Sequence, residues 1–348
     1  MARVLLHSVT LDEDFPGRLP VDPNDPHEGK WLAGACTLFR ESARLDSFGV
    51  HSLTEDPDEA DLIVFAELGA EGLYSEWVRH HPYVKKYREK CFLFDVGDTT
   101  LPFVPGLYAS LRKSIYDPAR TRTGYYLRLD ENPFIVSRPL EREPKYLGCF
   151  VGSLENHPVR VELAKLASER MLVEDTSAFA QRMLYFSPEE KQATFWPHYA
   201  DAMASSAFAL CPRGRGPGSI RLYEALCMGR APVIVADEWV YPERVNWKAC
   251  SVTVAEKDIA KIPEILEQNL PRAAELGLRA RQEWEKFYAP EVRFHWLVED
   301  CLALRRARRV PEWIAGRLVW RHLLNRERLH SFLLSKKQIH RQTGRWVL

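Results

Sequence analysis

What this 348-residue chain lacks narrows its reading before any motif does. No stretch reaches the roughly eighteen apolar residues that a membrane-spanning helix needs. The opening MARVLLHSVTLDEDF has too short an apolar run for a secretory signal. Its 7 cysteines (positions 36, 91, 149, 211, 227, 250 and 301) are odd in number, contain no CxxC pair and mostly fall inside apolar patterns, so they read as reduced, buried thiols. Together these absences point to a cytoplasmic protein. Formal net charge is zero, with 48 Lys and Arg against 48 Asp and Glu. No helix-turn-helix, zinc-finger or RNP pattern appears, so nucleic acid is not an expected partner. Internal repeats and low-complexity tracts are also absent.

What is present is ample for folding. Apolar residues make up 46% of the chain, and its length suits about two domains. The most telling stretch is AFALCPRGRGPGSIRLYEALCMGRAPVIVA, residues 207–236. Ala207–Cys211 suits a buried parallel strand. Gly214, Gly216 and Gly218 then let the backbone fold tightly around an anion, and Arg213, Arg215 and Arg221 supply countercharge. Ser219 is placed to cap the following helix, which turns its first amides and the positive end of its dipole toward the loop. Gly229 stops that helix, and 231–236 reads as a strand covered on both faces. The glycine spacing is neither a P-loop nor GxGxxG. Glu224, five residues past Ser219, is placed to accept hydrogen bonds from ribose hydroxyls while the loop holds a diphosphate. That combination describes a nucleotide-sugar site, against the plainer reading of a glycine-bearing turn with solvated arginines.

The segment CPRGRGPGSIRLYEALCMGRAPVIVADEW resembles the signature of the exostosin glycosyltransferases, family 47. YADAMASS (199–206) resembles the helix before that signature, and Tyr241–Asp258 the segment after its second strand. YLGCFVGSLENHPVRVEL (146–163) resembles the Phe-x-Gly-Ser strand and loop that opens the family's C-terminal domain. The resemblance covers residues 60–290 and is strongest in the C-terminal half. It implies a GT-B fold, two Rossmann-like domains facing across a cleft, and inverting transfer from a UDP-sugar donor. It also implies that Gly152, Ser153 and Arg160 line the donor site beside Arg213, Gly214, Ser219, Arg221 and Glu224. The pattern around Asn156 and Pro158 alone reads only as a good helix start. Because family members in animals and plants are anchored in the secretory pathway, the missing signal suggests a soluble bacterial-type or phage-type relative.

The expected fold class is α/β. Residues 1–140 form an N-terminal acceptor domain, 141–290 a donor domain, and 291–348 a helical return segment and tail. Strands are expected at Arg3–Val9, Ala60–Ala66 and Cys91–Val96, helices at Trp31–Leu45 and Gly72–Lys90, and a linker at Pro133–Pro144. Inverting transfer needs a base for the acceptor proton. Asp98, in FDVGD at a strand end, is the first candidate, with a turn-stabilising carboxylate as its other reading. Asp95, Asp12, His7, His27 and His51 stand in reserve. No Asp-x-Asp pair falls on a credible strand end beside the donor loop, and His80-His81 has no partner at ligand spacing. No metal and no cofactor beyond the donor substrate is therefore expected.

Charge is unevenly spread. Residues 301–348 hold 12 Lys and Arg against 2 Glu, leaving 36 basic against 46 acidic side chains in the first 300. One reading is peripheral contact with an acidic lipid surface at the inner face of a membrane, or with a polyanionic acceptor, using Trp313, Trp320 and Trp346. The other is a solvated helical tail packed on the body, which the scatter of its apolar residues around a helical wheel favours. The expected activity is transfer of a sugar to a glycan or lipid-linked acceptor in polysaccharide biosynthesis. The alternatives are transfer to modified DNA, or nucleotide-sugar or glycan binding without catalysis.

Overall fold

The structure, a computed structural model, describes residues 1–9, 34–67, 73–98, 101–127, 132–178, 193 and 195–343. The chain divides into two compact units, Met1–Leu129 with Val240–Pro242 and Pro290–Leu348, and Asp130–Trp239 with Glu243–Ala289. Each is built on a parallel sheet flanked by helices, the α/β class expected from the sequence.

The first unit contains β1 (Arg3–His7), α1 (Gly34–Leu45), β2 (Ser52–Leu53), β3 (Leu62–Glu67), α2 (Leu73–His80), α3 (Pro82–Lys86), β4 (Cys91–Asp95), β5 (Gly106–Tyr108) and β6 (Thr121–Thr123). Its strands run in the order β2-β1-β3-β4-β5-β6, all parallel. LIVFAE and CFLFD are buried along their whole length, which is why they carry apolar residues on both faces. On α1 the buried residues Ala35, Phe39 and Ser42 recur at helical spacing, and Phe39 meets Phe94 edge to face at 4.8 Å. Three of its strands escaped the sequence reading, since β2 has two residues and β5 and β6 three each, too few to show a periodicity. The single helix expected over 72–90 is interrupted after His80, because Pro82 lacks the amide that would continue it and starts α3 instead.

The second unit runs through β7 (Tyr146–Gly152), α4 (Pro158–Ala164), β8 (Met171–Asp175), α5 (Trp196–Ala204), β9 (Ser206–Pro212), α6 (Ile220–Met228), β10 (Ala231–Val235), α7 (Trp247–Cys250), β11 (Val252–Thr253), α8 (Ile262–Asn269) and α9 (Ala273–Phe287). Its parallel strand order is β11-β10-β9-β7-β8. The order reverses at β7, so the carboxyl ends of β7 and β9 flank the switch point where α/β sheets bind ligands. Gly229 ends α6 in the left-handed conformation, φ 78°, as the sequence predicts. The irregular segment before β7 is pinned by Arg230, whose buried guanidinium donates to the carbonyls of Arg138, Pro139 and Ala204.

Past residue 289 the chain is helical in α10 (Pro290–Ala307), α11 (Glu312–Leu318) and α12 (Arg326–Thr343). These helices fall within the first unit rather than forming a separate piece. Ser42 of α1 receives the Phe294 amide at 2.9 Å and donates to the Pro290 carbonyl at 2.5 Å, fixing the start of α10. Two buried ion pairs fasten the rest, Arg120 with Glu312 and Lys336 with Glu76. No described helix is long and apolar enough to cross a membrane.

Candidate functional site

The donor candidates converge at the carboxyl ends of β7 and β9. Gly152 is the last residue of β7, and a Cβ there would lie 2.5 Å from Nη2 of Arg221. Arg221, in the first turn of α6, threads under this glycine and donates to the Val151 carbonyl at 2.6 Å. Its guanidinium lies over the Phe150 ring at 4.3 Å and the Tyr199 ring at 5.8 Å. Nε of Arg221 is buried with no hydrogen-bond partner among the described residues.

Ser219 occupies the N-cap position of α6 in extended conformation, yet makes no capping hydrogen bond, contrary to the sequence expectation. Its Oγ is instead buried and has no partner among the described residues. A helix start without its side-chain cap, a buried hydroxyl and a buried guanidinium nitrogen are thus gathered over three residues. Buried donors without acceptors are costly, and a helix N-terminus is where an anion is readily held. Glu224 lies one turn further along α6, where the Tyr199 hydroxyl donates to its Oε2. Burial, and then the nearby Glu224 charge, hold the Tyr199 phenol well above its ordinary pKa, so it remains a proton donor.

Arg213 follows β9, with its amide bonded to the Val235 carbonyl at 2.9 Å and Nη1 3.6 Å from Glu256 Oε1. Glu256 and Asp237 exchange backbone and carboxylate hydrogen bonds, bracing the ends of β10 and β11. Arg160 turns out to be a clamp. Nε donates to the Arg213 carbonyl at 2.9 Å, Nη1 to the Ser153 carbonyl at 3.0 Å, and Nη2 reaches the Pro212 carbonyl at 3.5 Å. Gly214 leaves room for it, since a Cβ there would sit 2.8 Å from Nη2. Arg160 therefore joins the loop after β7 to the loop after β9. Ser153 Oγ contacts Ser177 Oγ at 3.1 Å, and Ser177 is itself held by Asp175 at the end of β8.

Asp98 lies in the first unit, past β4, where its Oδ1 accepts from the Tyr126 hydroxyl at 2.9 Å. Tyr126 in turn contacts Ser110 Oγ at 2.6 Å. Asp95 closes β4 and accepts the Gly97 amide at 2.7 Å, so it shapes the turn that carries Asp98. Asp12 and His27 lie outside the described residues. His7 is surrounded by the rings of Phe65, His81 and Tyr83.

Sequence reasoning overlooked four residues. Phe150 is the platform under two guanidinium groups, at 4.3 and 5.4 Å. Tyr199 positions Glu224, and Ser177 anchors the Ser153 loop. Glu67, at the end of β3 beside the switch point of the first sheet, accepts from Ser8 Oγ and the Val9 amide, both at 2.9 Å, and is paired in register with Asp95. Burial pushes its pKa up to about 8. The one signal in the sequence was an acid closing the apolar run LIVFA.

Comparison with known proteins bears on this site. Residues 137–269 match the Exostosin GT47 domain. The chain is 38% identical over 92 residues to an exostosin-1 homolog of Caenorhabditis elegans, covering 26% of this chain and 24% of that protein. It is 32% identical over 131 residues to a probable glucuronoxylan glucuronosyltransferase of Arabidopsis thaliana, 37% of this chain and 28% of the relative. A probable glucuronosyltransferase of Oryza sativa subsp. japonica is 27% identical over 190 residues, 54% of this chain and 43% of the relative. The matches thus span less than half the length of these relatives. All three are eukaryotic, and they lend no support to the expectation of a bacterial-type or phage-type relative.

Proposed function

We propose that the chain is an inverting glycosyltransferase that moves a sugar from a UDP-sugar to a hydroxyl of a glycan or lipid-linked acceptor in polysaccharide synthesis. The observation that carries this reading is the start of α6, where Ser219 Oγ and Arg221 Nε are buried without partners among the described residues, beside a helix N-terminus that lacks its side-chain cap. In the proposed complex these donors and Arg213 bind the diphosphate, and Glu224, held by Tyr199, accepts from the ribose hydroxyls. Gly152 and Ser153 line the phosphate or sugar side, with Arg160 and Gly214 keeping the two loops in register. The match to the exostosin domain supports the same assignment, because it spans the entire loop and α6.

In the reaction the acceptor oxygen bonds to the anomeric carbon while the bond from that carbon to the β-phosphate oxygen breaks. UDP departs with the electron pair, and the acceptor proton passes to a carboxylate, assigned here to Asp98. Fixed positive groups around the leaving diphosphate stabilise the developing charge, so turnover is proposed to need no divalent metal. Relatives named as glucuronosyltransferases make UDP-glucuronic acid the first donor to assay. Cytoplasmic residence, with contact to an acidic membrane through the C-terminal helices, remains part of the proposal.

The test is calorimetry with UDP and with pyrophosphate on the wild type, Arg213→Ala and Glu224→Ala. Arg213→Ala should weaken both ligands, whereas Glu224→Ala should weaken UDP alone. Unchanged UDP affinity in both variants overturns the site. Turnover abolished by EDTA in a protein that stays folded, and restored by manganese but not by zinc, overturns the leaving-group chemistry.

A further inference from the structure

Within the first unit, three potential metal ligands meet where α10 packs against the loop that leaves α1. His295 and Glu299 stand one turn apart on α10, and His51 precedes β2. One ligand atom from each lies within 4.8 Å of both others. The His51 side chain is wholly buried, whereas Glu299 keeps 29% exposure and so opens the cluster to solvent on one side. His51 Nε2 stands at ion-pair distance from Glu299 Oε1, 3.2 Å, while Nδ1 of His51 is buried with no hydrogen-bond partner among the described residues. A buried ring nitrogen left in this way costs stability unless something else satisfies it.

The surroundings hold the three groups in place. Gly49, in the left-handed conformation at φ 60°, turns the chain, and its amide is received by Asp46 Oδ2 at 3.0 Å. Ser47 ties the loop to the first turn of α10 through two hydrogen bonds to the Glu291 carbonyl, at 2.9 and 3.2 Å. Phe48 stacks on the His295 ring at 3.8 Å, with the planes 12° apart. The imidazole of His51 is therefore presented to α10 by a loop already fixed to that helix. Two imidazoles and one carboxylate with a side open to water form the donor set of a three-ligand zinc site. Tetrahedral zinc with bonds of about 2.0–2.2 Å brings ligand atoms to roughly 3.4 Å from one another, so rotamer adjustments of about an ångström close the cluster.

We propose that His51, His295 and Glu299 bind one zinc ion, with water as the fourth ligand, and that this ion fastens α10 to the loop following α1. The site shares no residue with the donor loop or with Asp98, and it takes His51 out of the reserve of candidate bases.

The experiment uses the full chain, stripped with a chelator and dialysed into metal-free buffer. Zinc chloride should bind with a stoichiometry of one and raise the unfolding temperature, while magnesium chloride leaves that temperature unchanged. Cobalt(II) should give the intense visible absorption of a four-coordinate site. His295→Ala and the more conservative Glu299→Gln should each weaken zinc binding about tenfold or more. Absence of one-equivalent zinc binding in the wild type overturns the proposal. So does unchanged zinc affinity in Glu299→Gln, which keeps the size of the side chain and so tests ligation even if His295→Ala fails to fold.

Discussion

Gly152 and Arg221 occupy each other's space, because a methyl group on the glycine would stand 2.5 Å from Nη2 of the guanidinium. Arg221 is buried against Phe150 and anchored to the Val151 carbonyl, so it has little room to retreat. Gly152→Ala should push the guanidinium out of register with the start of α6. UDP affinity should fall about tenfold or more, a loss of roughly 1.4 kcal/mol. Calorimetry reads the affinity, and a melting curve checks that the fold survives. Wild-type affinity in a folded Gly152→Ala protein refutes the proposed role of Arg221.

In the proposed complex Tyr199 bears on one end of the nucleotide only. Its hydroxyl donates to Glu224, and a hydrogen bond to a charged group contributes about 1.5–3 kcal/mol. Tyr199→Phe keeps the ring packed under Arg221 and releases the carboxylate. UDP affinity should drop on the order of tenfold, with pyrophosphate affinity unchanged. An equal loss for both ligands would mean that Tyr199 supports Arg221 rather than Glu224.

The parts of the site visible in the sequence were those whose logic is local. Arg213 to Gly229 could be read because glycines, arginines, Ser219 and Glu224 fall within one loop and one helix. What stayed hidden depends on partners distant in the chain. Tyr199 is 25 residues from Glu224, and Val9 is 58 from Glu67. Arg160 was foreseen near the donor, but its partners are the carbonyls of Arg213, Ser153 and Pro212, and every residue has a carbonyl. Ser219 shows the converse error, since its N-cap position was legible while its missing cap bond was not. In the fold, the long apolar strands β1, β3, β4, β7 and β9 declare themselves. The short β5 depends instead on Gly106, where a Cβ would meet the Leu93 carbonyl oxygen at 1.8 Å.

Glu67 should make stability fall as pH rises. Burial raises its pKa from 4.5 to about 8, with the nearby Asp95 adding to the rise and the bonds from Val9 and Ser8 opposing it. Between those values the native carboxyl keeps its proton while the unfolded chain has lost one. The unfolded state is therefore favoured progressively as pH climbs from about 4.5 to about 8, and the slope vanishes above that window. Glu67→Gln mimics the protonated form. It should stabilise the protein by on the order of 2 kcal/mol at pH 8 and flatten this part of the profile. Urea titrations at pH 5 and pH 8 make the comparison, and an identical pH slope in both proteins would rule the assignment out.

Asp98 is the residue on which the proposed chemistry depends most. Asp98→Asn preserves shape and the contact with Tyr126 while removing the proton acceptor. Turnover should fall about a hundredfold or more, with donor affinity intact. Tyr126→Phe should cost much less, because it only loosens the carboxylate. If Asp98→Asn turns over within a fewfold of wild type, Asp98 serves the turn alone and the base lies elsewhere.

The basic C-terminal helices have a structural role, and the membrane contact proposed for them can be tested separately. Lys336 and Glu76 are each about 5% exposed at the side chain and lie 2.7 Å apart, and Glu312 meets Arg120 in a second buried pair. Deleting residues 311–348 strands both partners in the body, and breaking a buried pair costs about 3–5 kcal/mol. The truncated chain should therefore melt at much lower temperature. Other side chains of this region face outward, including Leu324 at 89% exposure, with Leu333 at 55% and Leu334 at 53%. Exposed apolar residues among 12 basic ones suit an anionic lipid surface. Replacing Leu324, Leu333 and Leu334 together with Gln should leave the melting temperature within a degree or two, since none of them is in the core. It should also weaken binding to phosphatidylserine vesicles, and binding by the wild type should decline steeply with salt. Vesicle binding unaffected by the triple replacement, or absent in the wild type at low salt, would leave these helices a purely structural role.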